Sequence, residues 1–410
     1  MTDYIKLKNI CRQNSRLSEE IIDDRLIYYA AQRDRLEREM DQRLYRYKHI
    51  TGKFRKSWVN MLKSQYLAHR IFKENGLIRK YLNHSEIKSW DKSWRNFLQQ
   101  QARCPWRFTF SQIEANPEKD FYEMTDVFTG DPFLLYSPGI TSTMADQPGV
   151  ALWFNLIGFN GSCWQSFGPI GAYRSFNPDD IFFFATELNP GIESEEDLLA
   201  HLEGNPVPYM MLIAGSNYPM TYNGKDRLVQ HYGWHPVEEF ESSKFKKGFK
   251  IEYTPGIYRL TQKKWGGPPH FAMAHYDEKE KILFTSSMTG RGYAALIRHL
   301  GSTGYNLSTA PDIRVSPSML FTAREILRKD IQPDPYLHKL PQTVPAGESE
   351  LLDKMNQLIA LALPAINENK EPDLEALAQQ VGLEWETARE IMGKVMDRMN
   401  ELRKNQDITD

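Results

Sequence analysis

Between residues 17 and 75 apolar side chains return every three or four positions: Leu36, Met40, Leu44 and Tyr47, then Phe54, Trp58, Leu62 and Tyr66. That is the period of amphipathic helices. It predicts helix through this stretch, interrupted near Gly52 and ending at Asn75-Gly76, with another helix opening at Ser85-Glu86 and running through SEIKSWDKSWRNFLQQQ. At Pro105 the period changes to alternation. DFYEMTDV and PFLLYS flank Phe128-Thr129-Gly130-Asp131 as a hairpin, while ALWFNLIGF and DDIFFFAT read as strands buried on both faces. Beyond Asn205-Pro206-Val207-Pro208, which subdivides this body, YMMLIAG, GFKIEYT, GIYRLTQ, HFAMAHY and KILFTSS repeat the β character before a helix, GYAALIRHL. Another short helix is expected in SPSMLFTAREILRKD.

Helices do not alternate regularly with these strands, so the expected class is α+β multi-domain with mostly antiparallel pairing, not a doubly wound sheet. The expected organisation is a basic helical region (1–104), an aromatic-rich body (105–330), a proline-containing linker (331–347) and a small helical module (348–410). Composition supports the first boundary. All 23 prolines and 23 of the 25 glycines follow residue 104.

Charge sharpens this division. The whole chain carries a formal −2, but residues 1–104 hold +11 and the remainder −13, and residues 42–104 contain only Glu74, Glu86 and Asp91 as acids. No apolar run reaches the roughly 18 residues of a membrane helix, and the first residues lack the apolar core of a secretory signal. A cytoplasmic protein without membrane contact is expected. Three scattered cysteines with no CxxC fit reduced thiols better than a disulfide framework or thiolate zinc, and no metal or cofactor is expected. P-loop, GxGxxG after a strand, HExxH, GxSxG and kinase signatures are absent from the sequence, which argues against familiar nucleotide-dependent chemistry.

Cations and aromatics interleave in the basic segment. Lys53, Arg55, Lys56, Lys63, Arg70, Arg79, Lys80, Lys88, Lys92 and Arg95, with Trp90 and Trp94, are the candidate residues for binding nucleic acid or an acidic protein. Cations would displace counterions from phosphates and aromatics would stack on unpaired bases. The competing expectation is that the aromatics form helix core and the cations cover a solvated face or dock on the acidic body.

Gly161-Ser162-Cys163-Trp164 resembles the segment around the catalytic cysteine of papain-like proteases. The resemblance implies Cys163 as nucleophile and His270 as base. In that family the cysteine opens a helix and a glutamine lies six residues earlier; here Ile157 holds that place in a strand-like run, and Gly168-Pro169 would stop a helix. A packed, buried thiol is therefore the expectation, and the Cys163–His270 dyad its alternative. His231, His235, His270 and His275 lack metal-ligand spacing, because Gly233 and Pro236 oppose a helix and strand positions 270 and 275 face opposite sides. Asp179-Asp180 reads as a turn before a strand and Glu195-Glu196 as a first helical turn.

Near the C-terminus, DLEALAQQVGLEWETAREIMGKVMDRM resembles the helix-turn-helix of bacterial transcription factors, with Ala378 in the small position, Gly382 at the turn, and Leu383 and Ile391 in core positions. Ala388 stands where a larger aliphatic is usual, and Glu384 and Glu386 put carboxylates where base edges would lie. The chain as a whole resembles uncharacterised bacterial proteins with a helical N-terminus and an aromatic β body, a resemblance that implies no activity. The function expected is non-enzymatic: a regulatory or adaptor protein using the basic segment, with the terminal module as a second contact. A cysteine-nucleophile hydrolase and an oligomerisation protein are the alternatives; oligomeric state is not legible.

Overall fold

The computed structural model describes residues 3–215, 220–332, 334–336, 354–362, 365 and 372–393. It has an α+β multi-domain architecture, and the chain forms two compact units, Met1–Pro333 and Asp334–Asp410. Most of the expected linker 331–347 lies outside the described residues.

The first unit begins with helices Tyr4–Leu17, Ile27–Arg33, Leu36–Tyr45, Lys56–Phe72 and Lys92–Gln101, and Ser18–Leu26 between the first two is π-helical. The stripe read from the sequence is the buried one at Leu36, Met40, Leu44, Leu62 and Tyr66. One expectation fails here: SEIKSWDKSWRNFLQQQ forms two helices, Ser85–Lys88 and Lys92–Gln101. Ser89 and Trp90 close the first turn by bonding back to Ser85, Glu86 and Ile87, and Asp91 then turns extended as the next N-cap.

Five strands follow: β1 (Arg107–Glu118), β2 (Phe121–Asp126), β3 (Pro132–Tyr136), β4 (Leu152–Phe159) and β5 (Trp164–Tyr173). They close into a barrel in the order β1-β2-β3-β5-β4, with β3 and β5 parallel and every other pair antiparallel. Helix Pro138–Asp146 connects β3 to β4. This connectivity is that of the OB-type Greek-key barrel. Tyr122, Met124, Phe133, Leu135, Trp153 and Ile157 form one core cluster, while Phe154 stacks on Phe108 and tilts against Phe110. Alternation along β4 serves both layers, so its seven residues from Leu152 to Gly158 are all buried, as the unbroken apolar run predicts.

Two expected strands are helices. DDIFFFAT lies in helix Pro178–Leu188, where Asn177 and Asp180 make a reciprocal capping box and Pro178 occupies the first turn. Asp179-Asp180 is thus a first helical turn, and these start signals outweigh the β-propensity of three phenylalanines. YMMLIAG continues helix Val207–Met210 into a 3-10 turn, Met211–Gly215, behind Pro206 and Pro208. A short, wholly buried apolar run has no period that separates strand from helix. Glu195-Glu196 does open a helix, Glu195–Gly204.

After the small hairpin β6 (Tyr222–Asn223) and β7 (Asp226–Arg227), an antiparallel sheet runs in the order β13-β8-β12-β11-β10-β9. Its strands are β8 (Gln230–Pro236), β9 (Phe249–Thr254), β10 (Ile257–Gln262), β11 (Met273–Asp277), β12 (Ile282–Ser287) and β13 (Ile313–Val315). Leu296 and Leu300 of helix Gly290–Gly301 join Leu260, Ala274 and Leu283 in its core. Helix Pro317–Leu327 follows β13, and its N-cap Ser316 donates its backbone N–H to buried Asp180 at 2.6 Å, tying it to the start of helix Pro178–Leu188.

In the second unit, helix 354–362 packs with Leu374–Val381 and helix 385–393 through Leu358, Ala362, Ala378, Val381, Ala388 and Met392. Gly382 adopts φ 69°, and Leu383 N–H returns to Ala378 O at 2.9 Å, the bond that stops a helix in a Schellman turn. Ala388 is fully buried in this core, whereas Ile391 is half-buried.

Candidate functional site

Cys163 lies in the β4–β5 loop and His270 just before β11, and they share no contact among the described residues. The Cys163 sulfur meets Cys11 and Asn160, whereas His270 Nδ1 sits 2.6 Å from Thr289 Oγ1 and its ring lies against Trp265. Cys163 leads into a strand, so it does not open a helix as the catalytic cysteine of the papain-like pattern would. Only 2% of the residue is exposed, so a reagent reaches the sulfur only when the β4–β5 loop or the first helix moves aside. His231 and His235 share a face of β8, but His231 bonds Val229 O and His235 bonds Thr285 Oγ1. No cluster of three metal-ligating side chains forms among the described residues.

The basic segment divides into neutralised and open cations. Lys53 pairs with Glu325, Lys63 with Asp41 at 2.6 Å, Arg70 with Glu39 at 3.5 Å and Lys80 with Asp34 at 2.5 Å. Three of these four acids precede residue 42, so the helices before the basic stretch supply its counter-charges. Arg55, Lys56, Arg79, Lys88 and Lys92 are exposed and make no ion pair among the described residues. Trp90 and Trp94 meet edge to face at 6.0 Å, and the Arg25 guanidinium covers Trp94 at 4.4 Å. One face of Trp94 is therefore already occupied by a cation. Arg95 is half-buried beside them.

Arg55 and Trp58 border a cleft of about 410 Å³, with Lys53 and Phe54 on the same wall. The opposite wall is the barrel: Thr143 and Gln147 at the end of helix Pro138–Asp146, and Ile170 and Ala172 of β5. Trp58 is 37% exposed although it falls on the apolar period of its helix, because the helix starts only at Lys56 and its first turn overhangs this opening. Cation, indole and a side-chain amide thus converge on one concavity. Such a set suits a flat ring beside an anionic group.

Where an OB barrel ordinarily receives ligand, across β2–β3 between the β1–β2 and β4–β5 loops, this chain has its own first helix. Lys8 pairs with Asp120 of the β1–β2 loop at 2.9 Å, Tyr4 packs on Phe121 at 5.2 Å, and Leu7 and Cys11 pack with Leu134, Tyr136 and Cys163. Sequence reasoning missed this docking. The pairs are more than 100 residues apart, and nothing in a helical period identifies its partner face.

A larger cleft, about 500 Å³, opens between the π-helical segment and β5, where Ser18, Glu19 and Asp23 face Gln165 and Ser166. Asp23 reaches solvent along the cleft, yet its crowded position, then repulsion from Asp24 and Glu19, push its carboxyl up to about 6. Acidic walls make this cleft a poor host for phosphate. No family model, curated protein or solved structure matches the chain.

Proposed function

We propose that this chain is a non-enzymatic nucleic-acid-binding protein that takes single-stranded nucleic acid at the Arg55–Trp58 cleft, with the C-terminal helices as a second, tethered contact. The observation that carries this reading is the meeting of Arg55, exposed and without an ion pair among the described residues, with the exposed indole of Trp58 in one cleft against the barrel, with Lys56 next to Arg55 along the chain. Arg55 and Lys56 would neutralise phosphates, and Trp58 would accept a base on its face, a combination that tolerates any sequence. Gln147 offers both a donor and an acceptor to a base edge. The acidic residues Glu384 and Glu386 weaken the case for base reading by the terminal helices, so their role is added avidity.

Fluorescence anisotropy of labelled single- and double-stranded DNA and RNA, titrated at several salt concentrations, tests this. Single strands should bind with a log–log salt slope of several phosphates. Arg55→Glu with Lys56→Glu should weaken binding at least about tenfold and flatten the slope by roughly one per lost phosphate contact. Trp58→Ala should cost about 1–3 kcal/mol on single strands and little on duplex. A flat baseline at low salt overturns the proposal and reassigns these cations to protein contacts.

A further inference from the structure

We propose that Cys11 and Cys163 form a dithiol–disulfide pair whose oxidation covalently latches the first helix onto the β4–β5 loop of the barrel. The fold brings these two thiols, 152 residues apart, to an Sγ–Sγ distance of 3.4 Å. A disulfide needs about 2.0 Å. Closing that gap requires a shift of little more than an ångström, which the β4–β5 loop or the helix end can supply.

Buried thiols often serve as small apolar packing, but the surroundings of this pair are polar on one side. Asn160 Nδ2 points at both sulfurs, 3.3 Å from Cys11 and 3.6 Å from Cys163. Its Oδ1 accepts the backbone N–H groups of Ser162 and Cys163 at 2.9 Å each, which fixes the loop around the sulfur. Gln165 Nε2 donates to Cys11 O at 3.1 Å and so holds the helix in register with the loop. The two thiols differ in character. The hydrogen bond shared by the two thiols draws Cys163 down, with Asn160 adding to the effect against burial, and the same bond together with burial raises Cys11. Cys163 sits in a loop that borders a cleft and Cys11 within a helix at 0% exposure, so Cys163 is placed to attack and Cys11 to resolve.

The next cleft, about 470 Å³, is lined by half-buried Cys104 and by Gly161 of the same loop, and an outward movement of that loop brings the Cys163 sulfur to its edge. The oxidant we name is a low-molecular-weight disulfide. The Cys163 thiolate attacks one of its sulfurs and releases a thiolate; Cys11 then attacks the Cys163 sulfur of the mixed disulfide and releases the second. Two electrons pass to the small disulfide, which leaves as two thiols carrying the two protons from the protein. The product cross-links the helix lying across the β1–β2 and β4–β5 loops, so oxidation closes that face of the barrel.

The test is equilibration of the full chain in oxidised and reduced glutathione mixtures, acid quenching, alkylation in denaturant, intact mass and non-reducing peptide mapping. The expected result is loss of two alkylatable thiols in one step, a peptide joining residues 11 and 163, and a melting temperature that rises on oxidation and falls back on reduction. Cys11→Ser should stop the reaction at a glutathione adduct on Cys163. Three alkylatable thiols at the oxidising end, or a bridge that involves Cys104 or a second chain, would overturn the proposal on the unmodified protein, whether or not the variant folds. Nucleic-acid binding does not enter this readout, so the two proposals fail separately.

Discussion

Replacing Trp106 by alanine is expected to destabilise the first unit by about 3–5 kcal/mol, the range for truncating a buried large aromatic. The indole is 3% exposed and touches three elements at once. It stacks on Phe72 from helix Lys56–Phe72 with centroids 4.5 Å apart, tilts against Phe167 of β5 at 5.1 Å, and donates Nε1–H to Gln101 Oε1 at 3.1 Å. Its backbone N–H also returns to Phe72 O. Gly158 of β4 lies directly under the ring: a Cβ built there would stand 2.4 Å from Cε2. The joint between helical layer and barrel is therefore fitted around one side chain, and little around it can collapse into the space it leaves.

The loss compares with a typical total of about 5–15 kcal/mol for a folded domain. Urea unfolding followed by circular dichroism should show a lower midpoint with an unchanged slope. Trp106→Phe keeps the stack and forfeits the bond to Gln101, so it should cost much less, on the order of 1–2 kcal/mol. Equal losses in the two variants would mean that the hydrogen bond, not the stack, carries the joint.

Trp106 also marks what was legible in the sequence. The proline and glycine count separates 104 from 105, and the structure changes from helix to strand there, with Lys92–Gln101 ending before β1 begins at Arg107. That boundary in composition is not one in packing, since both sides belong to the unit Met1–Pro333. Periodicity reports which face of an element is buried but not against what. The strands that alternate or that sit in hairpins, β2, β3, β9, β10 and β12, were readable for that reason. At Pro178–Leu188 three consecutive phenylalanines carry a strand signal, while the Asn177…Asp180 capping box carries the helix that forms. For the cleft, Arg55 and Trp58 were legible as chemistry, while Thr143 and Gln147 on the opposite wall were not. Nothing in the sequence pairs Cys11 with Cys163, because the two meet only through the tertiary fold. The pairing of Lys63 with Asp41 and Lys80 with Asp34 likewise divides the cations in a way that net charge could not.

Between pH 7 and pH 5, His275 alone is expected to remove about 2 kcal/mol of stability. It lies on β11, 1% exposed, opposite Phe284 of β12 and Arg259 of β10. Burial first, then the Arg259 charge, lower its imidazole from an ordinary value near 6.5 to about 3. The folded state thus keeps it neutral while the unfolded chain protonates at about 6.5, so its contribution is intact above that value and fades as pH falls toward 3. At about 1.4 kcal/mol per unit, the 1.5 units down to pH 5 give the figure quoted. His69, His201, His231 and His235 are lowered as well, chiefly by burial, and act in the same direction.

Asp180 opposes them. Burial raises its carboxyl to about 6 against the hydrogen bonds from Ser316 and Asn177, so the folded state gains a proton first and gains roughly 1 kcal/mol by pH 5. The wild-type profile is a sum of opposed contributions, and its slope alone assigns nothing. His275→Phe isolates one of them: a phenyl ring fits beside Phe284 and cannot titrate. Urea unfolding of both proteins at pH 7 and pH 5 should give a fall about 2 kcal/mol smaller in the variant, whatever offset the substitution introduces at pH 7. Parallel profiles would mean that His275 takes up its proton inside the folded sheet, with Arg259 moving aside to admit it.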